Sequence, residues 1–454
     1  MKILRPLAAA FVAAVFCIYA SNIASAAPPG FSDPRTSGPY AVGFSFSVLI
    51  DTSRDNRPVP VHVWYPVDSI DVQGGFAKAS YPLDPMNPLF SSSSVFWEVY
   101  GVEPAFDEPP SSADGPFPVV MFSPGWGAAA WYHIAVAARV ASHGFVVAVP
   151  YHWGDSALFS SEPFDHIAMA MKNRPIDLLF MLDSLLMRNV TNGDPLEGTI
   201  DASLVAASGW SLGGYAAMVL AAGDDQICDK VDESIFGPAP PESCTSSPPD
   251  LRVKAVVPLD GSTQVLWFHE LSRIQVPTLG IGQEWGHLES IAGPIFATWQ
   301  ARLHAASEGR PAYRVDIGGG ANHDNFSNIC EAVHVFGDMG IFNAATIEFL
   351  AGTYCSAEIP TSYVTELVGM YMAAFLNTNL LDEVGYQPYL TPGYALTEPF
   401  VEFFVTEKRN GKVIDEDWPD HFVYFPHQPG HGTARAAKDP AAAQITVPYT
   451  GLPH

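Results

Sequence analysis

Gly209-Trp210-Ser211-Leu212-Gly213-Gly214 stands between a short apolar run, Leu204 to Ala207, and a longer one, Leu212 to Ala222. The first run has the length and make-up of a strand buried on both faces, and the second reads as a helix that begins at once. A Gly-x-Ser-x-Gly pattern between a strand and a helix places a serine on a sharp turn, where small neighbours relieve the crowding. Such a turn lifts the hydroxyl above the carboxyl edge of a sheet and points a helix N-terminus at it. Ser211 is therefore the candidate nucleophile.

Outward from that turn the chain repeats one rhythm. Upstream, Phe117 to Phe122 and Phe145 to Val149 read as buried strands. A helix is expected over Ala129 to Ser142, and another over Pro175 to Leu186 with Asn173 as its cap. Downstream, the strand series continues with Val253 to Leu259, Val276 to Ile281 and Tyr313 to Ile317. Helices are expected around Ile295 to Ala306 and over Tyr363 to Leu376. At the front, Val42 to Ile50 and Val59 to Tyr65 alternate with period two, the mark of a hairpin. Strands alternating with helices predict an α/β fold, with a mostly parallel sheet of roughly eight strands covered on both faces.

Residues 27–399 read as one domain. Residues 85–116, rich in Ser, Pro and Asp, read as an inserted surface loop, and 223–250 as a cysteine-bearing excursion. After residue 400 the rhythm breaks, and 400–454 reads as an extension with one or two strands, such as Phe400 to Val405.

A serine hydroxyl attacks only when a base takes its proton, and in this architecture the acid and the histidine follow the serine in that order. His323 lies in Gly318-Gly319-Gly320-Ala321-Asn322-His323-Asp324-Asn325-Phe326, directly after the last expected core strand. A glycine-rich loop there can return the imidazole over the serine. Two carboxylates end strands between them: Asp260, after Ala255 to Leu259, and Glu284, after Leu279 to Gln283. Either strand end can supply the acid. The negative charge that develops on an attacked carbonyl needs two N–H donors. The amide of Leu212 is one candidate. Trp126, in the loop Ser123-Pro124-Gly125-Trp126-Gly127, is the other. The indoles of Trp126 and Trp210 are read either as pocket walls or as core.

The chain has 454 residues, 48% aliphatic or aromatic and 15% charged, which suits a large core and excludes a disordered protein. Lys2 and Arg5 precede an apolar run from Leu7 to Ala20, and Ala24-Ser25-Ala26 offers small residues for cleavage. Residues 1–26 thus read as a secretory signal peptide, and export to the periplasm or the medium is expected. The net charge is −26, and loss of that segment takes away two cations and no anions, leaving −28. Such a surface repels nucleic acid and anionic headgroups. Of five cysteines, Cys17 leaves with the leader. The other four are expected to form two disulfides, with Cys228–Cys244 and Cys330–Cys355 the preferred pairing. No Cys-x-x-Cys pair exists for zinc, and Pro429 between His427 and His431 argues against a helix presenting both to a metal. Of two glycosylation sequons, at Asn189 and Asn325, the second is read as chance, since a glycan there would crowd His323.

Several stretches together resemble the platelet-activating-factor acetylhydrolase and dienelactone-hydrolase-like branch of the α/β-hydrolases, in its exported bacterial form. They are Pro58 to Pro66, Pro118 to Gly127, Ala141 to Ala148, the Ser211 turn, Pro258-Leu259-Asp260-Gly261, and Asn322 to Phe326. The resemblance implies a carboxylic-ester hydrolase without metal or organic cofactor, acting on a short-chain or lipid ester, with Asp260 as the acid. Cutinases and polyester hydrolases have a similar turn, and with them Glu284 would be the nearest acid. A dienelactone-type cysteine nucleophile is excluded, since a serine occupies the turn. A binding protein on a disabled hydrolase scaffold is the rival from another class.

Overall fold

Two eleven-residue strands open the sheet, β1 (Ala41–Asp51) and β2 (Arg57–Val67), paired antiparallel from Ala41 opposite Val67 to Asp51 opposite Arg57. Asp55 and Asn56 make the turn at φ 50° and 58°, a left-handed conformation that their short polar side chains tolerate. In the computed structural model the described residues are 31–82, 94–96, 104–155, 165–231, 233–284, 299–307, 310–338, 340, 342–355, 359–409 and 412–414. Residues 1–26, read in the sequence as a signal peptide, the histidines at 427 and 431, and most of 85–103 lie outside them. The sheet belongs to the unit Asp33–His454.

The remaining strands are β3 (Ser80–Pro82), β4 (Ser94–Phe96), β5 (Ala105–Asp107), β6 (Phe117–Ser123), β7 (Val146–Pro150), β8 (Ile200–Trp210), β9 (Val253–Leu259), β10 (Thr278–Gln283), β11 (Ala312–Ile317), β12 (Val401–Arg409) and β13 (Lys412–Ile414). Eleven form one sheet in the order β13-β12-β11-β10-β9-β8-β6-β7-β2-β1-β5, while β3 and β4 pair separately. The run from β11 to β7 is parallel, and the hairpin and β12–β13 are antiparallel. The expectation of eight strands is corrected at the edges. Three residues of the presumed surface loop, Ala105–Asp107, pair parallel with β1 as β5. At the other edge, 401–406 lie along β11 and 407–409 pair with β13, so the sheet continues past residue 400.

Among the described residues the helices of seven residues or more are α1 (Ile134–Ser142), α2 (Ile167–Asn189), α3 (Leu212–Ala222), α4 (Trp299–Ala305), α5 (Ile329–Asp338), α6 (Ala344–Tyr354) and α7 (Thr361–Leu380). Alternate residues of the central strands serve opposite faces. Val120, Phe122, Val147 and Ala206 pack with α1 and α7, while Val119, Met121, Val146 and Ala207 pack with α2 and α3. A strand between two such layers is buried throughout, as β6, β7 and β10 are. The start of α2 also differs from expectation. His166 caps it, its Nδ1 accepting from the amide of Ala168 at 3.1 Å, and Pro175 lies inside. Proline favours a first turn, which hid the earlier one, yet Ala168 and Met171 already belong to the buried face. Cys228 is bonded to Cys244, and Cys330 in α5 to Cys355 at the end of α6. Among the described residues no helix is long and apolar enough to cross a membrane.

Candidate active site

Strand β8 ends at Trp210 and α3 starts at Leu212, so Ser211 alone makes the turn. Its backbone sits at φ 57° and ψ −122°, a strained conformation for any residue with a side chain. Hydrogen bonds to neighbouring peptides hold it. Its amide donates to the Leu259 carbonyl at 3.1 Å, and its own carbonyl accepts from Ser262 and Gly214, both at 2.9 Å. Residue 213 must be glycine, because a Cβ there would stand 1.9 Å from the Ser123 carbonyl oxygen.

Asp260 follows β9 directly and is fully buried. His323 opens a short turn, His323–Phe326, in which Asn322 and Asn325 cap each other reciprocally. The Asn322 side chain accepts from the Asp324 amide at 3.1 Å, and the Asn325 side chain accepts from the Asn322 amide at 2.9 Å. Asn325 is buried and also donates to the Thr361 hydroxyl at 2.7 Å, so this sequon faces inward. The turn brings His323 Nδ1 to 2.6 Å from Asp260 Oδ2. The same carboxylate oxygen accepts from Gln283 Nε2 at 2.8 Å. Around the imidazole, Trp210 lies stacked at 4.8 Å and Trp299 edge-on at 5.5 Å.

Glu284, the other carboxylate singled out in the sequence, is placed elsewhere. It lines a cleft with Asp316, Glu398 and Glu402 on the β11–β12 side. The reason is strand geometry: Gln283 and Glu284 are consecutive, and consecutive residues face opposite ways. Gln283 turns to Asp260. Glu284 turns from it.

On the other side of the turn runs the loop Ser123 to Gly127. A Cβ at Gly125 would meet the Trp210 ring at 2.5 Å and Ser211 Cβ at 3.3 Å, so the loop passes directly against the candidate nucleophile. Leu212 is the first residue of α3, with its amide at the helix N-terminus. Trp126 is one residue beyond Gly125, and its partly exposed indole meets Phe236 edge-on at 5.8 Å. Beneath the loop lies a buried polar layer. His152 Nε2 is 2.9 Å from Ser123 Oγ, and its Nδ1 is 2.9 Å from Asp177 Oδ2. Burial and then the Arg174 charge lower the pKa of His152, although Asp177 opposes them. The neutral imidazole can donate from Nδ1 to Asp177 and accept the Ser123 hydroxyl at Nε2. Burial by itself would raise the Asp177 pKa, and bonds from His152 and Arg57 outweigh it and lower it.

Some site residues gave no sequence signal. Gln283 is a lone amide next to a more conspicuous glutamate. Asp324 follows His323, and burial raises its pKa to about 6, opposed by His323 and reinforced by Asp260. Arg174 and Asp155 are isolated charges whose contacts depend on the tertiary fold. One cluster could suit a cation by its ligand types, Asp225, His269 and Glu270. Its carboxylates already carry protein cations: Arg273 spans both oxygens of Asp225, and Lys230 reaches both of Glu270.

Residues 90–179 match the family described as platelet-activating factor acetylhydrolase, isoform II. No curated protein matches the chain. Among solved structures, a ferulic acid esterase from Streptomyces cinnamoneus superposes with a TM-score of 0.53, over 81% of this chain and 98% of that one, at 20% identity. At that identity the likeness carries the fold. The fold is thus that of the α/β-hydrolases. The likeness to the acetylhydrolase family extends over residues 90–179, about a fifth of the chain.

Proposed function

We propose that the protein is an exported serine esterase that works through an acyl-enzyme on Ser211. One observation carries the reading: His323 Nδ1 stands 2.6 Å from the buried Asp260 carboxylate, beside a strained serine turn at the head of α3. With Nδ1–H donating to Asp260, Nε2 is left with a lone pair, the form a general base requires.

In the first step Ser211 Oγ attacks the ester carbonyl as its proton passes to His323 Nε2. Asp260 keeps the ring oriented and stabilises the imidazolium. The backbone amides of Leu212 and Trp126 stabilise the tetrahedral oxyanion. The imidazolium then returns its proton to the leaving alcohol, and the acyl group stays on Ser211. In the second step His323 takes a proton from water, hydroxide equivalent adds to the acyl carbon, and collapse frees the acid and restores the Ser211 hydroxyl. These steps call for no metal or organic cofactor.

The substrate proposed is a short-chain or lipid ester. An acidic chain disfavours polyanionic substrates, and the aromatic pair Trp126–Phe236 offers apolar surface beside the loop that abuts Ser211. Export is supported by the leader-like first 26 residues and by two disulfides, which persist in oxidising compartments.

The test is hydrolysis of p-nitrophenyl esters from acetate to palmitate by the mature protein and its Ser211→Ala variant. Activity on short esters that disappears in the variant is expected. Full activity in the variant would refute the serine mechanism, and activity confined to long chains would refute the short-chain substrate.

A further inference from the structure

Arg174 is an arginine from the interior of α2 that the fold has taken fully out of water. All three of its nitrogens are used. Nε donates to Asp155 Oδ2 at 2.6 Å. Nη1 donates to the Pro124 carbonyl and to Ser123 Oγ, the latter at 3.2 Å, and Nη2 donates to the Gly125 carbonyl at 2.8 Å. The other oxygen of Asp155 accepts the Gly127 amide at 3.0 Å. One buried ion pair therefore grips the loop at consecutive peptides on both sides of Trp126.

The peptide group is planar and trans, so a carbonyl and the next residue's N–H point in opposite directions. The Gly125 carbonyl and the Trp126 N–H share one such plane. A bond from Arg174 that turns the carbonyl inward therefore turns the Trp126 N–H outward. Asp155 does the same for the next plane, drawing the Gly127 N–H inward. A planar guanidinium can hold several acceptors in a fixed fork, which an ammonium cannot. The loop itself, Pro-Gly-Trp-Gly, has two glycines that would otherwise let these planes rotate. His152 and Asp177 close the arrangement from below, through the Ser123 hydroxyl that Arg174 also contacts.

We propose that Arg174 and Asp155 are the positioning pair of the oxyanion site, setting the direction of the Trp126 N–H before substrate arrives. The proposal rests on the serine-esterase reading above and adds a function to two residues that touch no substrate. Preorganised donors are worth more than donors that must rotate into place during the reaction. Their loss should therefore appear in the transition state and not in ground-state binding.

The experiment compares wild type with Arg174→Lys and Asp155→Asn, with folding checked by circular dichroism and melting temperature. For p-nitrophenyl acetate, Arg174→Lys should lower kcat about ten- to a hundredfold with KM changed less than about threefold. Affinity for an alkylboronic acid, which becomes tetrahedral on Ser211, should fall by the same factor as kcat/KM. Should Arg174→Lys fail to fold, Asp155→Asn decides, because it keeps the side-chain shape and an acceptor for Gly127 while losing the charge that orients Arg174. A parallel but smaller loss of kcat and of boronate affinity is expected there. Variants that fold and melt lower, yet keep wild-type kcat and boronate affinity, would reduce the pair to a purely structural role and overturn the proposal. Failure of the underlying reading looks different: wild-type enzyme that ignores the boronate, or a Ser211→Ala variant that stays active.

Discussion

The Trp210 indole is stacked on the His323 imidazole, with ring centroids 4.8 Å apart and planes 28° from parallel, and its Nε1–H donates to the carbonyl of His323 itself at 3.0 Å. One side chain next to the candidate nucleophile thus fixes both the ring and the backbone of the candidate base. Trp210→Phe keeps a ring and loses the hydrogen bond, so kcat/KM should fall several-fold, for roughly 1 kcal/mol. Trp210→Leu loses the stack as well and should fall further. Equal activity in all three proteins, measured on p-nitrophenyl acetate, would remove Trp210 from the account.

Gln283 should matter through Asp260 alone. Its Nε2–H donates at 2.8 Å to the oxygen that also accepts His323, and a hydrogen bond to a charged group contributes about 1.5–3 kcal/mol. Gln283→Leu should lower kcat roughly tenfold with little change in KM. Gln283→Glu should be worse, since two facing buried carboxylates cannot both ionise and one would take up a proton. A pH profile of kcat separates the two: only the glutamate variant should gain a new ionisation. A profile identical to that of the leucine variant would contradict this reading.

Glu402 makes a prediction about stability and pH. Burial first, then Asp316 and Glu284, raise its pKa from 4.5 to about 7, with Arg314 opposing. The folded state thus holds this proton more tightly than the unfolded chain. The corresponding stability is fully present below pH 4.5 and is lost as pH rises through 7. Glu402→Gln keeps the neutral form at every pH. The variant should melt close to wild type at pH 4.5 and above it at pH 8. A difference in melting temperature that stays constant across that range would show that this carboxyl does not titrate as described.

What the sequence disclosed follows from the range of each signal. Ser211, Asp260 and His323 were legible because a strand end, a turn and a glycine-rich loop are local patterns, and the fold has only to bring strand ends to one edge. The central strands β6 to β11 were legible for the same reason: runs buried on both faces are continuous in composition. Strand β5 was not, because three residues inside a Ser- and Pro-rich stretch carry no period, and their pairing to β1 is settled by the partner. Arg174 was invisible because a buried arginine is read as a solvated one until Asp155 and the carbonyls of Pro124 and Gly125 are known to surround it. Asp260 is preferred to Glu284 in the sequence for its place directly at a strand end and for the family resemblance. At the end of β10 it is Gln283, a residue with no sequence signal, that reaches Asp260.

The last prediction concerns the excursion 223–250. The Cys228–Cys244 bond closes a 16-residue span that carries the short helix Glu233–Phe236. Lys230 anchors the span from within, bonded to Asp224 at 2.6 Å and to Glu270 at 2.7 Å. At the end of that helix Phe236 meets Trp126 edge-on, so the excursion reaches the loop Ser123 to Gly127 that abuts Ser211. An aromatic wall there should select the acyl group. Phe236→Ala should leave kcat and KM for p-nitrophenyl acetate within about twofold, since acetate is too small to use the ring. For a hexanoate or an aromatic acyl ester, KM should rise about five- to tenfold, matching the roughly 0.5–1.5 kcal/mol of an aromatic contact. Cys228→Ser with Cys244→Ser frees the span and should shift selectivity in the same direction. An equal change for acetate and for larger esters would mean that the excursion acts on the site as a whole and does not form its wall.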